Sequence, residues 1–246
     1  MEHLPPGMAG IAGILGHELR NPLSAIAALA RVTMSREDLP HDVRERLAQM
    51  DRAAQRSLAM VQSLLDFSES HWHGALPTRP VLAEAGEIAG RIVEELRATH
   101  PDRDIVLDVR GRQPFQLDPT RVEQVLSNLI GNAIVHGSAE TPIEVCIDVR
   151  EDEALLSVKN RGPVIPPEQI ATLFQPFTQG TFSDPLQPRP RGLGLGLFIV
   201  QEIVNAHGGT ISVESSRDQG TTFSIRLPGR RYEHNGKAPS AATRGL

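Results

Sequence analysis

The sequence contains a single cysteine among 246 residues, so no disulfide can form within the chain. It has no run of the roughly 18 uninterrupted apolar residues needed to span a bilayer. Its start, MEHLPPGMAG, lacks the basic region and apolar stretch of a secretion signal. The formal net charge of −5, without a concentrated basic segment, argues against a nucleic-acid partner. These absences indicate a cytoplasmic globular protein with no membrane segment in this chain.

What the chain does have is length and apolar content for two modest domains, at 39% hydrophobic residues. Near the N terminus, apolar residues recur every three or four positions in two stretches separated by the polar segment SREDLPHD, which predicts two antiparallel helices. The two stripes consist of Ile11, Leu15, Leu19, Leu23, Ile26 and Ala30, and of Val43, Leu47, Met50, Ala54, Leu58, Val61 and Leu65. A lone hairpin leaves much of each stripe in water, so we expect a homodimer in which two hairpins form a four-helix bundle.

A linker follows the hairpin, because the segment ESHWHGALPTRP contains proline and glycine but no apolar period. Beyond it, strand and helix patterns mix, which predicts an α+β fold: a mixed sheet with helices on one face. Strands are expected in IVLDVR, IEVCIDVR, ALLSVKN, TISVES and TTFSIRLP, and helices over residues 82–98, 118–136 and 195–207. The predicted division is 1–70 for the hairpin, 71–80 for the linker, 81–229 for the second domain and 230–246 for a disordered polar tail.

One histidine of the first helix is a candidate nucleophile. In GHELRNPL, His17 lies two residues from both Leu15 and Leu19, about 200° around the helix from the apolar stripe, so we expect it to face solvent. The carboxylate of the adjacent Glu18 can fix the imidazole tautomer and leave the other ring nitrogen free to attack. Asn21 lies one turn further on the same face. For an isolated histidine, a merely solvated surface residue is the commoner explanation.

The second domain contains features of a nucleotide site. Asp118 and Pro119 suit the start of a helix on which Asn128 and Asn132 are one turn apart, so that both amides can point at one ligand. Neutral amide oxygens suit Mg²⁺ that is already charge-balanced by phosphate. A structural role for Asn128, capping or cross-linking helices, is the alternative.

A glycine-rich segment, RGLGLGLFIVQEIVNAHGG, starts the third predicted helix of this domain. Its glycines, Gly192, Gly194 and Gly196, allow the backbone to approach phosphate at a helix N terminus, which favours anions. The preceding segment, LFQPFTQGTFSDPLQPRPR, is rich in proline and polar residues and is similar to a mobile lid. Arg191 and Arg189 are candidate phosphate contacts within it, although a solvated charge is an equal alternative for Arg189.

Taken in order, these segments resemble the transmitter region of sensor histidine kinases, from about Gly7 to Pro228. GHELRNPL resembles the phosphoacceptor box, NLIGNA the N box, NRGPVIP the first glycine box, LFQPF the F box, GLGLGL the second glycine box and GTTF the third. The resemblance implies ATP-dependent phosphorylation of a histidine and transfer of the phosphoryl group to an aspartate of a response regulator, with ATP and Mg²⁺ as cofactors. It also implies phosphatase activity toward that partner.

The resemblance implies roles residue by residue. His17 would be the nucleophile, Glu18 would orient it and accept its proton, and Asn21 would support dephosphorylation of the partner. Asn132 and Asn128 would hold Mg²⁺. The remaining nucleotide contacts implied are His136, Asn160, Gly162, Arg191, Gly192, Gly194, Gly196 and Thr221.

The chain departs from the family pattern at three positions. Asn160 stands where the family has an aspartate that accepts a hydrogen bond from the adenine amino group, and an amide oxygen is a weaker, neutral acceptor. Val164 replaces a glycine, which costs backbone freedom if a positive φ is needed there. Val135 occupies the place of a basic N-box residue, for which the adjacent His136 is a candidate substitute.

Three alternatives follow. The first is a degenerate member that binds nucleotide weakly and acts as a phosphatase or phosphotransfer scaffold, as Asn160 and Val164 suggest. The second is a gyrase-like or MutL-like clamp ATPase, against which the HELRNPL hairpin argues. The third is a purely structural coiled coil, against which the glycine boxes argue, because a fold gains nothing from GLGLGL without a ligand.

Overall fold

The computed structural model describes residues 8–36, 38–178 and 193–229, and for residues 8–15, 17, 72 and 73 it describes the backbone alone. The first half is a hairpin of two long helices, α1 (Met8–Met34) and α2 (His41–His73). The Arg44 guanidinium closes the turn between them by donating to the carbonyl oxygens of Met34 and Arg36, at 2.6 and 2.9 Å. Helix α2 ends at Gly74, whose φ of 76° lets its N–H bond the carbonyl of Ser70.

The predicted apolar stripe of α1 divides between two faces. Ala27 and Ala30 are buried against α2, and Leu23 is half-buried. Gly16 lies so close to Leu65 of α2 that a methyl group there would overlap the leucine. Leu19 and Ile26 of the stripe remain exposed, as do Leu29 and Val32 outside it. The apolar surface of α1 is therefore wider than one helix can cover.

The second half is an α/β sandwich. Its elements are β1 (Val81–Ala83), α3 (Ala85–Thr99), β2 (Ile105–Arg110), β3 (Phe115–Leu117), α4 (Pro119–His136), β4 (Ile143–Val149), β5 (Glu153–Asn160), α5 (Pro167–Ile170), α6 (Gly196–Ala206), β6 (Thr210–Ser216) and β7 (Gly220–Pro228). The main sheet has the order β2-β4-β5-β7-β6, with β2 parallel to β4 and the other pairs antiparallel; β1 and β3 form a separate pair.

The core lies between the main sheet and the helices α3, α4 and α6. Strand β5 alternates strictly between buried and half-buried residues, because one face of the sheet packs on the helices and the other faces water. Ile130, Ile147 and Ile199 are fully buried where α4, β4 and α6 meet. No helix within the described ranges is both long and apolar enough to span a membrane.

The five predicted strands and the hairpin helices are confirmed, and the three helices predicted in the second domain are found with boundaries shifted by one to three residues. The helix predicted over 82–98 begins at Ala85, because residues 82 and 83 belong to β1. Three short elements, β1, β3 and α5, were not predicted; they span three, three and four residues, too few for a period to be recognised.

Candidate nucleotide site

A cavity of about 360 Å³ lies where α4, the end of β5 and the start of α6 meet. Helix α2 of the hairpin forms its remaining wall. The lining residues are Arg56, Ala59, Met60, Ser63, Asn128, Asn132, Val135, His136, Asn160, Pro163, Val164, Ile165, Gln169, Leu173, Thr178, Leu193, Gly194, Leu195, Gly196, Leu197, Thr221 and Phe223. The volume and the mixed polar and apolar lining suit a small organic ligand.

Helix α4 brings two amide side chains to this cavity. Its N-cap Asp118 accepts from the backbone N–H groups of Arg121 and Arg79, at 3.2 and 2.8 Å. The Asp118 N–H in turn donates to Nε2 of the buried His207 at 3.1 Å, which ties the start of α4 to the end of α6. Asn128 and Asn132 then lie one turn apart on the cavity side of α4.

The start of α6 forms one end of the cavity. Gly194 has a φ of 70°, and a Cβ there would come within 2.6 Å of the Thr178 carbonyl oxygen, so glycine is required by both conformation and contact. Leu195 precedes the helix and provides no side-chain cap. The first N–H groups of α6 and its dipole are thus available to an anion. Gly196 packs beside Asn128, with a built Cβ 3.2 Å from the amide oxygen.

The other end of the cavity is lined by the last residue of β5 and the first residues of β7. Asn160 and Thr221 are partners across this strand pair and are both buried. The Thr221 hydroxyl shares a 2.7 Å hydrogen bond with the Ser215 hydroxyl, which also accepts from the N–H of Ile165. Gly162 follows Asn160 without lining the cavity itself; a Cβ there would come within 2.5 Å of the His136 carbonyl oxygen. This end therefore offers an amide and a hydroxyl in a largely dry setting.

Two departures from the family pattern can now be interpreted. Among the described residues, Phe177 is the one non-glycine residue with a positive φ, so Val164 occupies its position without backbone strain. Partial burial lowers the pKa of His136 below the ordinary value for histidine, because desolvation disfavours the charged ring. At neutral pH His136 therefore lines the cavity as a neutral hydrogen-bonding group and does not replace the charge of the missing basic residue.

Magnesium was predicted at Asn132 and Asn128. The described residues contain no group of three or more His, Cys, Asp or Glu side chains that could hold a metal ion alone. Two neutral amides fit a cation that takes most of its oxygen ligands from phosphate and water. The donor set therefore suits Mg²⁺ that arrives with a triphosphate.

Helix α2 forms the hairpin side of the cavity with one continuous face. Arg56, Ala59, Met60 and Ser63 line the cavity at spacings of three and four. The same face continues about one turn beyond Ser63. There Phe67 packs edge-on against Phe198 of α6, with ring centroids 5.5 Å apart, and against Phe177, at 5.1 Å. Near the end of α2, the Ser70 hydroxyl donates a hydrogen bond to the Glu202 carboxylate of α6.

A buried ion pair fixes α2 against α4. Asp66, with 1% of its side chain exposed, accepts from Arg121 at 2.8 Å, from Gln124 at 2.6 Å and from Gln62 at 3.1 Å. Gln62 also accepts from Arg20 of α1 at 2.6 Å. The network thus runs from the GHELRNPL segment to the first turn of the helix that carries both asparagines.

The phosphoacceptor segment lies alongside the cavity wall. His17 is part of α1, although its side chain is outside the described part of the structure. The neighbouring Gly16 packs on Leu65 of α2. Leu65 is less than one turn from Ser63, which lines the cavity, so the α1 turn that contains His17 lies next to the end of this cavity wall. Glu18 and Asn21 are both exposed, and the exposure of Asn21 agrees with the outer face on which the sequence placed it.

The structure thus gathers most of the predicted nucleotide residues at one cavity: Asn128, Asn132, His136, Asn160, Gly194, Gly196 and Thr221. Arg191, Gly192 and Arg189 lie outside the described residues. Sequence reasoning missed the wall from α2, including Arg56. The signal available was a face of α2 with mixed residues at i, i+3, i+4 and i+7, which periodicity alone assigns to solvent.

Two family models match the chain. Residues 10–71 match the His Kinase A (phospho-acceptor) domain, and residues 117–231 match the histidine kinase-, DNA gyrase B-, and HSP90-like ATPase. The first covers the hairpin, and the second covers α4, the glycine-rich segment and the strands that line the cavity.

Curated relatives agree with both matches. The chain is 33% identical over 223 residues to a bacteriophytochrome of Pseudomonas aeruginosa, covering 91% of this chain and 30% of that protein. It is 30% identical over 218 residues to the signal transduction histidine-protein kinase BarA of Escherichia coli K12, covering 85% and 23%. It is 32% identical over 215 residues to the probable sensor histidine kinase TcrY of Mycobacterium tuberculosis, covering 86% and 44%. The chain therefore spans less than half of each of these relatives.

Solved structures share the fold. The crystal structure of full-length ShkA in complex with AMPPNP superimposes with a TM-score of 0.67 at 24% identity, covering 89% of this chain and 46% of that one. The mycobacterial sensor histidine kinase MprB gives 0.52 at 28% identity over 62% of this chain and 99% of that one. A phosphoacceptor hairpin followed by an ATPase domain, matched in sequence and in fold, makes this chain a sensor histidine kinase transmitter core.

Proposed function

We propose that the chain transfers the γ-phosphoryl group of ATP to His17 and then to an aspartate of a response regulator. The observation that carries this proposal is the composite cavity, in which Asn128, Asn132 and the α6 N terminus face a wall of α2. The α1 turn that contains His17 is packed on the same part of α2. Proximity and charge neutralisation are the main requirements of phosphoryl transfer, because the protein supplies little covalent chemistry.

In this proposal the reacting groups have distinct tasks. A ring nitrogen of His17 attacks the γ-phosphorus, an N–P bond forms, the bond to the β,γ-bridging oxygen breaks, and ADP leaves. Glu18 orients the imidazole and takes its proton. The N–H groups at the start of α6 and the Arg56 guanidinium stabilise phosphate charge from two sides. Bound Mg²⁺ would neutralise phosphate charge.

We propose that Asn132, together with Asn128, holds this ion. Asn132→Ala should weaken ATP binding about tenfold or more in magnesium and leave binding in excess EDTA nearly unchanged, because only the ion-mediated contact is lost. Fluorescence titration with a labelled adenine nucleotide measures both affinities. Ser127→Ala, an exposed position on the same helix, is the matched control. Equal losses with and without magnesium would assign Asn132 to direct nucleotide contact instead.

The apolar face left on the hairpin supports a homodimer. Leu19 and Ile26, two turns apart on α1, are 50% and 43% exposed, and Met50 and Leu64 of α2 are 52% and 45% exposed. Four such side chains along one hairpin form a surface that a second copy can cover by completing a four-helix bundle.

Ile26→Glu should therefore weaken dimerisation at least about a hundredfold, because a carboxylate would be buried between the hairpins. Analytical ultracentrifugation at micromolar concentration measures the change. Val106→Glu introduces the same charge at a 44% exposed valine of β2 and should leave the dimer intact. A wild-type chain that sediments as a monomer at that concentration would exclude the proposed dimer.

The response regulator as partner, the cytoplasmic location and the dephosphorylation supported by Asn21 belong to the same proposal. The proposal also includes the division of the chain into a hairpin (1–70), a linker (71–80), an ATPase domain (81–229) and a tail (230–246). It includes nucleotide contacts from the other candidate residues given under Sequence analysis. Incubation with γ-labelled ATP and magnesium separates the kinase from a degenerate scaffold. A kinase incorporates acid-labile phosphate and passes it to a receiver domain, whereas a scaffold accepts it only from a phosphorylated partner.

A further inference from the structure

Asn160 is the buried amide of the cavity, at the end of β5 with 8% of its surface exposed. Its Nδ2 donates to the Arg161 carbonyl oxygen at 3.4 Å, a distance at the weak limit of hydrogen bonding. Among the described residues, this is the one hydrogen bond found for the Asn160 side chain. The hydrogen-bonding edge of this amide is therefore left to a ligand.

An amide and a carboxylate offer different edges to such a ligand. An ionised carboxylate only accepts hydrogen bonds, whereas an amide presents an acceptor beside a donor. Rotation by about 180° at the end of the side chain exchanges the two. At Asn160 this exchange costs only the weak bond to Arg161, so both orientations of the amide are available.

Purine rings present two patterns at positions 6 and 1. A 6-aminopurine has a donor at position 6 and an acceptor at N1, while a 6-oxopurine has an acceptor at position 6 and a donor at N1. One orientation of the Asn160 amide complements the first pattern and the flipped orientation complements the second. A carboxylate in the same place would meet the 6-oxo group with a second acceptor, which leaves two buried acceptors opposed.

The surroundings of Asn160 favour this use. Thr221, which is paired with Asn160 on the neighbouring strand β7, adds a hydroxyl that can donate or accept a hydrogen bond. Gly162 and Gly137 pack beside the side chain, and built Cβ atoms at these glycines come no closer than 3.5 Å to Nδ2 and 3.2 Å to Cβ of Asn160. A side chain at position 162 would contact the amide nitrogen, and glycine there leaves that side of the amide open.

We infer that Asn160 relaxes base selection, so that this cavity binds 6-oxopurine nucleotides, those of inosine and guanosine, as well as adenine nucleotides. The inference rests on the proposed nucleotide binding and deepens it. The chain thus takes purine nucleoside triphosphates as a class.

Displacement of a fluorescent ADP analogue from the intact chain by ATP, ITP and GTP tests this inference. ITP should compete within about tenfold of ATP, because the amide satisfies either base edge. GTP adds a 2-amino group. Competition by GTP within about a hundredfold of ATP would support the inclusion of guanosine nucleotides, and weaker competition would overturn that part of the inference. An ITP affinity more than about a hundredfold below that of ATP would overturn the inference as a whole. If no purine nucleotide binds, ATP included, nucleotide binding itself fails and the inference fails with it.

A reciprocal variant sharpens the result. Asn160→Asp should raise the ratio of ITP to ATP dissociation constants about tenfold to a hundredfold, because the carboxylate rejects the 6-oxo edge. Asn205→Asp makes the same chemical change at an exposed position of α6 and should leave the ratio unchanged. An unchanged ratio in folded Asn160→Asp would assign base selection to other groups and overturn the inference.

Discussion

Replacing His17 by alanine should abolish labelling of the chain by the γ-phosphate of ATP, a loss on the order of 10³-fold or more. The reason is that alanine has no nitrogen to attack phosphorus, and GHELRNPL contains no other histidine. Binding of ATP should be nearly unchanged, because the nucleotide contacts proposed above come from α2, α4, the strand ends and the start of α6. Acid-labile incorporation, measured over time with labelled ATP, gives the rate.

Asn21→Ala is the matched control for this experiment. It changes an exposed residue of the same helix, one turn after His17. Under the proposal it retains labelling while dephosphorylation of the response regulator declines. Labelling that persists in His17→Ala would remove this residue as the phosphoacceptor, and the hairpin would then need another nucleophile.

Replacing Asp66 by alanine should release the ATPase domain from the hairpin, with a loss of about 3–5 kcal/mol in docking free energy. The change leaves the Arg121 guanidinium, with 14% of its side chain exposed, without its carboxylate, and also removes the acceptor for Gln124. An uncompensated buried charge is more costly than the pair is favourable, so the effect is large. Small-angle scattering should give a larger radius of gyration, and amides of the first turn of α4 should exchange faster.

Two comparisons separate this effect from a general loss of stability. Asp51→Ala removes a carboxylate that pairs with Arg31 at 3.0 Å within the hairpin and should leave the radius unchanged. Arg121→Ala should match Asp66→Ala, and the double variant should add little, because both act on one contact. Additive losses from Asp66→Ala and Arg121→Ala would mean that the pair is not what holds the domains together.

The same network connects the segment that contains His17 with the helix that contains Asn128 and Asn132. Arg20, three residues after His17, bonds Gln62, which bonds Asp66, which pairs with Arg121 at the start of α4. A chain of contacts is not by itself a coupling; the double-variant cycle above measures how much free energy it carries.

Much of this structure could be predicted because its signals are local. Alternation identified β4 and β5, and the Asp118 cap with its following proline marked the start of α4. Asn128, Asn132 and Asn160 were found because each belongs to a motif whose order along the chain is specific.

The rest depended on contacts between distant segments. Arg56 and Met60 line the cavity only because α2 docks on the ATPase domain, and no local period encodes that docking. The division of the α1 stripe, with Ala30 buried and Leu19 exposed, could be found only by knowing which neighbour covers which side of the helix. Likewise, whether Val164 needed a positive φ was a question of backbone geometry, and the structure resolves it in favour of valine.

Calorimetric titration of the intact chain with ATP and magnesium tests most directly whether this cavity is a nucleotide site. The account predicts saturable heat with one ATP per chain and a dissociation constant below about one millimolar, weakened by Asn132→Ala. Absence of any heat at millimolar ATP, from a chain that is folded by circular dichroism, would contradict it.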